Sequence, residues 1–431
     1  MKGIAKKAAV VFCSVATVTS MAACGNSGGN STASSDGKLS GEITFQTWNL
    51  KNDKYTPYFN DLIDAFEKDN PGTTIKWVDQ PSDGYPDKLS ADAAAGTLPD
   101  VTDMGPNQAY SLAKAGALLN ISAEDPSAKD NYIESAWNGV TFKGDGMDTG
   151  AYGLPWYLNT GPTFFNKSVL TKCGIDTEKL PDTYDGLFKL SDTMKKNCSG
   201  TSLMAKLPTI ENFGEYGVQL MNDDQTKYTF NSKKGVEFVQ HYIDMYKNGT
   251  LDGNALNADW TGETDAFKQG SVATVIGSLY SIGDFKENAK DVYDNLGLTK
   301  RIANTSGHIY MEMLAINAQT KNKDLALAFA KYVTNKENQV AFDKKANVFP
   351  SSVDSQTDAF FNPTGDTLED EGMRLTAKEI ENGHIWTPPQ FSDALDVPNL
   401  REQIALAVQG KQTAQQALDK VVKDANDRLV Q

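Results

Sequence analysis

An alternation of strand-like and helix-like segments is the feature that most restricts the folds open to this chain. Residues 42–48 alternate between apolar and polar side chains, and residues 59–66 place apolar side chains at helical spacing until Asn70-Pro71-Gly72 ends the helix. A second strand follows at residues 74–78, and the same succession continues through residues 89–115. Strands that alternate with helices predict an α/β fold with a parallel sheet.

Length and composition add a domain count and exclude several classes of protein. A chain of 431 residues exceeds what one hydrophobic core usually serves, so we expect two lobes. Aromatic residues make up 10% of the chain and no short repeat is present, which excludes disorder, collagen and coiled coils and argues against a solenoid. The net charge of -15 would repel a phosphate backbone, so no nucleic-acid partner is expected.

The amino-terminal residues predict export and a lipid anchor. Lysines precede an apolar stretch at residues 8–23 that ends in Met21-Ala22-Ala23-Cys24, the pattern of a signal peptide over 1–23 followed by a lipidated Cys24. A transmembrane helix is the alternative, but it would need about 20 apolar residues. Residues 24–39 are rich in Gly and Ser and predict a flexible tether. We therefore expect a lipoprotein anchored at the extracytoplasmic face of a bacterial cell membrane.

The remaining cysteines and the histidines indicate whether a disulfide or a metal site is to be expected. In an oxidising compartment Cys173 and Cys198 could form a disulfide or remain two separate thiols. The three histidines lie far apart and no Cys/His pair has ligand spacing, so no metal site is predicted.

Catalytic and phosphate-binding signatures are absent from the sequence. It contains no His-Glu-x-x-His, no Gly-x-Ser-x-Gly, no P-loop and no dinucleotide-binding glycine motif. We therefore predict a protein that is not an enzyme and that needs no cofactor.

Four segments resemble one known family. Residues 151–167 include Tyr152-Gly153-Leu154-Pro155, and residues 98–101, 266–277 and 410–418 lie where the family has its other motifs. Together they resemble extracellular solute-binding proteins of family 1, the maltose-binding-protein-like components of carbohydrate ABC transporters.

The resemblance implies a two-lobed periplasmic-binding-protein-like α/β fold, with the ligand in a cleft between lobes joined by hinge segments. The chain would cross between the lobes near Tyr157, Tyr310 and Phe349. The expected lobes are residues 40–156 with 311–348 at the N-terminal side and residues 157–310 with 349–431 at the C-terminal side.

A sugar site can be sought on physical grounds alone. A sugar ring has an apolar C–H face and a rim of hydroxyls, so its binder needs aromatic platforms and side chains that donate and accept hydrogen bonds. Trp48 stands at the end of the first strand, where a parallel sheet meets a cleft, and is predicted as such a platform rather than as core.

The resemblance implies some further ligand contacts and position along the chain suggests others, each with a plainer alternative. Asn107 and Gln108 would supply polar contacts or cap a helix, and Tyr280 would replace a tryptophan of the family. Tyr85 would belong to a lid, whereas the other candidates would be core or solvated loop residues if they do not bind. These other candidates are Trp156, Tyr157, Asn159, Glu211, Phe213, Glu215, Trp260, His308 and Trp386.

The predicted function is capture of an oligosaccharide and its delivery to the permease subunits of an ABC importer by a monomeric lipoprotein. A secreted carbohydrate-active hydrolase is the alternative from another class, and it would need two carboxylates that flank the bound sugar. A binder of a non-sugar solute, such as a cation, is a third possibility because carboxylates are in excess.

Overall fold

The computed structural model describes residues 38–144, 146–198, 200–257, 260–391 and 395–429. The predicted signal peptide, the lipidation site Cys24 and nearly all of the tether lie outside these residues. The strands are β1 Gly41–Trp48, β2 Thr73–Gln80, β3 Val101–Met104, β4 Thr141–Gly144, β5 Met147–Ala151, β6 Leu154–Asn159, β7 Thr163–Asn166, β8 Thr274–Ile276, β9 Leu296–Thr299, β10 Tyr310–Ile316 and β11 Phe349–Pro350.

Helices separate most of these strands. They are α1 Thr56–Asp69, α2 Tyr85–Ala95, α3 Pro106–Lys114, α4 Ile121–Glu124, α5 Glu134–Val140, α6 Lys167–Lys172, α7 Tyr184–Asn197, α8 Ile210–Tyr216, α9 Lys233–Lys247, α10 Glu263–Lys268, α11 Leu279–Asn288, α12 Lys290–Tyr293, α13 Lys323–Val333, α14 Lys336–Ala346, α15 Leu368–Asn382, α16 Glu402–Val408 and α17 Ala414–Leu429. A π-helical segment, Asp396–Arg401, leads into α16.

The predicted start of the fold is confirmed. α1 buries Phe59, Leu62, Ile63 and Phe66 on one face, and the chain turns back at Gly72, whose φ of 98° favours glycine. β1 then pairs in parallel with β2 and with β3.

The main sheet has six strands in the order β11-β6-β10-β3-β1-β2, and it is mixed. β10 runs antiparallel to both β3 and β6, and β11 runs antiparallel to β6. The prediction of a parallel sheet is therefore correct only for the amino-terminal half of this sheet. β10 and β11 return from distant parts of the chain rather than through a helix that covers the preceding strand, so nothing forces them to be parallel.

A second sheet has three antiparallel strands in the order β8-β7-β9, and β4 and β5 form a separate two-stranded sheet. Successive side chains of a strand point to opposite sides of the sheet, and β7 buries apolar side chains on both sides. Phe164 packs into the hydrophobic core that also covers the main sheet, whereas Phe165 packs into a second core built mainly by helices. The short β7 strand thus anchors two cores.

Cys173 and Cys198 form a disulfide that joins the end of α6 to the end of α7, with their Cα atoms 5.1 Å apart. Of the two alternatives left open by the sequence, the bonded one is observed.

The predicted lobe boundaries fall within β6 and at the first residues of β10 and β11, and the main sheet has the order β11-β6-β10. The boundaries themselves remain a proposal. Within the described part of the chain, no helix has the length and apolar character needed to cross a membrane.

Candidate functional site

A cavity of about 520 Å³, which we call the main cavity, opens where β1 and β3 end and where β10 begins. The carboxyl ends of parallel strands lie at one edge of a sheet, so the side chains that follow these strands come together there. Seven of the side chains predicted from the sequence line this cavity: Trp48, Asn107, Gln108, Tyr157, Asn159, Glu211 and His308.

Two further cavities share wall residues with it. One of about 220 Å³ shares Asn159, Glu211 and Tyr310 with the main cavity. Another, of about 360 Å³, shares Ile385 and Thr387 with it at the other side. We call these three cavities together the groove.

Local sequence explains the polar wall formed by α3. Gly105 is the N-cap residue and Pro106 begins the helix, so Asn107 and Gln108 stand in its first turn. Neither side chain caps the helix, which removes the plainer alternative for both residues. Both are half-buried and line the main cavity.

Two aromatic rings supply apolar surface in the main cavity. Trp48 is half-buried, and its ring lies 6.3 Å from the ring of Tyr85. Tyr157 is also half-buried and packs against Phe342, with ring centroids 5.6 Å apart. Each ring therefore has one side supported by the protein and part of its surface left accessible, as a stacking platform requires.

Glu211 stands in the first turn of α8 and accepts a hydrogen bond from the hydroxyl of Tyr310 at 3.0 Å. Burial acts to raise the pKa of Glu211, but the nearby Arg301 guanidinium and hydrogen bonds to the carboxylate more than offset it, so the pKa is lower than usual. Glu211 is therefore ionised at neutral pH and can accept hydrogen bonds from ligand hydroxyls.

Glu215 is fully buried and is bound by the protein itself. Its carboxylate accepts hydrogen bonds from Arg301 Nε, from Asn212 Nδ2 at 2.8 Å and from the backbone N–H of His308 at 2.9 Å. The expectation that Glu215 contacts a ligand is therefore wrong. Its role is to hold Arg301, which lines the smaller cavity, and to fix the loop that leads to β10.

His308 is buried, and burial is the main reason that its pKa is lowered to about 3. Its Nδ1 accepts a hydrogen bond from the backbone N–H of Trp386 at 3.0 Å. His308 is thus a neutral side chain in the wall of the cavity, with one ring nitrogen already used.

Three other predicted contacts are buried and cannot reach the groove. Trp156 is fully buried and stacks on Phe342 at 5.1 Å. Phe213 lies in the helical core, and the hydroxyl of Tyr85 donates to the carbonyl of Asp103 at 2.7 Å. Tyr85 is therefore an anchor of α2 and not part of a lid.

Of the three remaining candidates, only Trp386 lines the groove. Trp386 lines the third cavity, where its indole N–H donates to the carbonyl of Ser306 at 2.8 Å. Tyr280 is 77% exposed, and Trp260 packs at the edge of the sheet core; neither lines the groove.

The sequence analysis missed Tyr310, Arg301 and Glu312, which all line the groove. A signal for two of them was present. Tyr310 and Glu312 are two residues apart in an otherwise apolar strand, so they share one face, and a charged side chain there is unusual.

Within the described ranges no three His, Cys, Asp or Glu side chains lie close enough together to hold a metal ion.

Comparison with known proteins gives a consistent result. The sequence model of a family described as bacterial extracellular solute-binding proteins matches residues 61–367. The galactooligosaccharide-binding protein of Bacillus subtilis is 24% identical over 99% of this chain and 98% of its own length. The arabinooligosaccharide-binding protein of the same species is 23% identical over 93% of this chain and 95% of its own length.

Solved structures agree on the fold. The cyclic alpha-maltosyl-1,6-maltose binding protein of Arthrobacter globiformis superposes with a TM-score of 0.71 at 17% identity, covering 90% of this chain and 99% of its own. A cyclo/maltodextrin-binding protein complexed with maltotetraose gives 0.69 at 19% identity, covering 90% and 97%. The likeness shows a two-lobed α/β fold of the periplasmic solute-binding type.

Proposed function

This chain belongs to the bacterial extracellular solute-binding protein family, whose members bind solutes rather than transform them, and from that premise we propose that it captures an oligosaccharide in the groove and delivers it to an ABC importer. The names of the relatives from Bacillus subtilis support the ligand class.

The observation that carries the proposal is the composition of the groove wall. Trp48 and Tyr157 offer supported aromatic surface, while Asn107, Asn159 and the ionised Glu211 offer donors and acceptors. A sugar needs both kinds of contact at once, since its ring has an apolar face and a polar rim.

The test is a calorimetric screen of the purified protein with galactooligosaccharides, arabinooligosaccharides and maltotetraose. We expect one of these to bind and to be recovered with unchanged chain length. Shortening of the chain during long incubation would instead favour the alternative of a carbohydrate-active hydrolase.

Replacing Trp48 with Ala should weaken the binding found in the screen by roughly 5- to 1,000-fold, or about 1 to 4 kcal/mol, because a stacking surface is lost. Trp137→Ala is the matched control, since Trp137 is also half-buried but stacks on Tyr132 and does not line the groove. Equal losses in both variants, or a Trp48 variant with a much lower melting temperature and normal affinity, would contradict the assignment.

The lipid anchor is the second part of the proposal. It rests on Met21-Ala22-Ala23-Cys24 and on the polar tether that follows. In bacterial cells the protein should fractionate with membranes, and Cys24→Ser should abolish the incorporation of labelled fatty acid, whereas Cys173→Ser should not.

A further inference from the structure

Two acidic side chains meet beneath the main cavity. Asp103 belongs to β3 and Glu312 to the neighbouring strand β10, and their carboxyl groups lie within hydrogen-bonding reach of each other. Asp103 is fully buried, whereas Glu312 is half-buried and lines the cavity. A Cβ atom built on Gly105 would lie 3.9 Å from Glu312 Oε1, so the bare backbone of Gly105 leaves this oxygen next to the cavity wall.

In the part of the chain that the structure describes, no cation forms an ion pair with either acid. Among the ion pairs of the described residues, none includes Asp103 or Glu312. The titratable groups that act on the pair from neighbouring elements are all acidic: Asp79 of β2, Tyr85 of α2 and Tyr157 of β6.

Two carboxyl groups can share a hydrogen bond only when one of them carries the proton. Burial raises the pKa of Asp103 well above its ordinary value, and the contact with Glu312 adds to this effect. Burial also raises the pKa of Glu312, to about 7, while hydrogen bonds from Asp103 and from the Trp48 side chain limit the rise. Asp103 is thus the donor, and Glu312 is the acceptor.

We propose that Glu312 accepts a hydrogen bond from a hydroxyl of the bound oligosaccharide, and that Asp103 is the positioning residue that holds the Glu312 carboxylate at the cavity. The inference rests on the proposed function and adds one specificity-determining contact to it. The hydroxyl would lie beside Trp48, whose indole N–H is also within hydrogen-bonding reach of Glu312.

If Glu312 is the acceptor, the affinity for the oligosaccharide depends on pH in a range where Glu211 does not titrate. As pH falls through about 7, Glu312 takes up a proton and the hydroxyl loses its acceptor. Between about pH 8 and about pH 6 the affinity should therefore fall by roughly tenfold, since a binding step that needs the ionised group loses up to about tenfold for each pH unit below its pKa.

The experiment measures the affinity of the oligosaccharide found in the screen across this pH range by calorimetry. Glu312→Gln should bind more weakly at about pH 8 and should lose the pH dependence. Asp103→Asn should keep the affinity at that pH because an amide N–H can still donate to Glu312, whereas Asp103→Ala should weaken binding.

Asp343→Asn is the matched control. Asp343 is another buried acid whose pKa burial raises well above its ordinary value, but it lies in α14 and does not line the groove. This variant should keep both the affinity and its pH dependence, and melting curves of all four variants report on folding.

The outcomes separate the two proposals. A wild-type affinity that stays constant over this pH range, or a Glu312→Gln variant with an undiminished pH dependence, overturns the role of Glu312 while oligosaccharide binding stands. Normal binding by a folded Asp103→Ala variant overturns the positioning role. Failure of every oligosaccharide to bind at any pH overturns this inference together with the proposed function.

Discussion

At the scale of single residues, the buried ion pair of Glu215 and Arg301 is a sensitive point of the structure. Both side chains are almost completely buried, and Glu215 also receives hydrogen bonds from Asn212 and from the His308 backbone. Arg301→Met would leave Glu215 buried without its cation, and removing one partner of such a pair costs about 3 to 5 kcal/mol.

We therefore expect Arg301→Met to lower the free energy of unfolding by about that amount, measured by urea denaturation. The double variant Arg301→Met with Glu215→Gln should recover part of the loss because no unpaired charge remains. Equal stability of the single variant and the wild type would show that the pair is not needed for folding.

Residue-level prediction used the end of the first strand to select Trp48, and the structure places this residue in the wall of the main cavity. The prediction failed for Trp156 because the resemblance marked a whole segment without distinguishing its faces. Tyr157 and Asn159 share one face of β6 and line the cavity, whereas Trp156 and Leu158 share the other face and are buried. The period of two alone would have separated them.

Acids were harder to assign than aromatic residues. Glu211 and Glu215 are four residues apart on α8, and nothing in the sequence tells which one meets an arginine. Arg301 lies far along the chain, so its contact with Glu215 is fixed only by the folded structure.

At the scale of elements, the disulfide ties α6 to α7 next to the second core. Its ends are 25 residues apart in the sequence. Closing a loop of this size removes conformational freedom from the unfolded chain, which stabilises the fold by roughly 3 kcal/mol in the chain-entropy treatment.

The double variant Cys173→Ser with Cys198→Ser should therefore melt at a lower temperature than the wild type, and dithiothreitol should lower the melting temperature of the wild type alone. Oligosaccharide affinity should be unchanged, because neither cysteine lines the groove. A variant that melts like the wild type would show that the cross-link adds no stability.

Local patterns predicted the elements from β1 to α3 because each depends on the spacing of neighbouring side chains. The antiparallel pairing of β10 and β11 in the main sheet could not be predicted in this way. Their partner β6 lies about 150 residues before β10 in the chain, and pairing over such a distance leaves no periodic trace in the sequence.

At the scale of the whole molecule, we expect the two lobes to approach each other when the oligosaccharide binds. Hinge closure of this kind is a general motion of periplasmic binding proteins. Small-angle scattering with a saturating oligosaccharide should give a smaller radius of gyration than the free protein. An unchanged radius with calorimetrically confirmed saturation would contradict closure.

The side-by-side arrangement of β6, β10 and β11 has a mechanical consequence for this closure. Leu158 of β6 pairs with Phe349 of β11, and Asn159 of β6 pairs with Tyr310 of β10. If the chain crosses between the lobes at these strands, as we propose, the crossings are hydrogen-bonded into one ribbon. Such a ribbon bends easily perpendicular to the sheet, whereas its inter-strand hydrogen bonds resist sliding within the plane of the sheet. The closing motion is therefore restricted to one direction. The lobes would then return to the same open angle after each delivery.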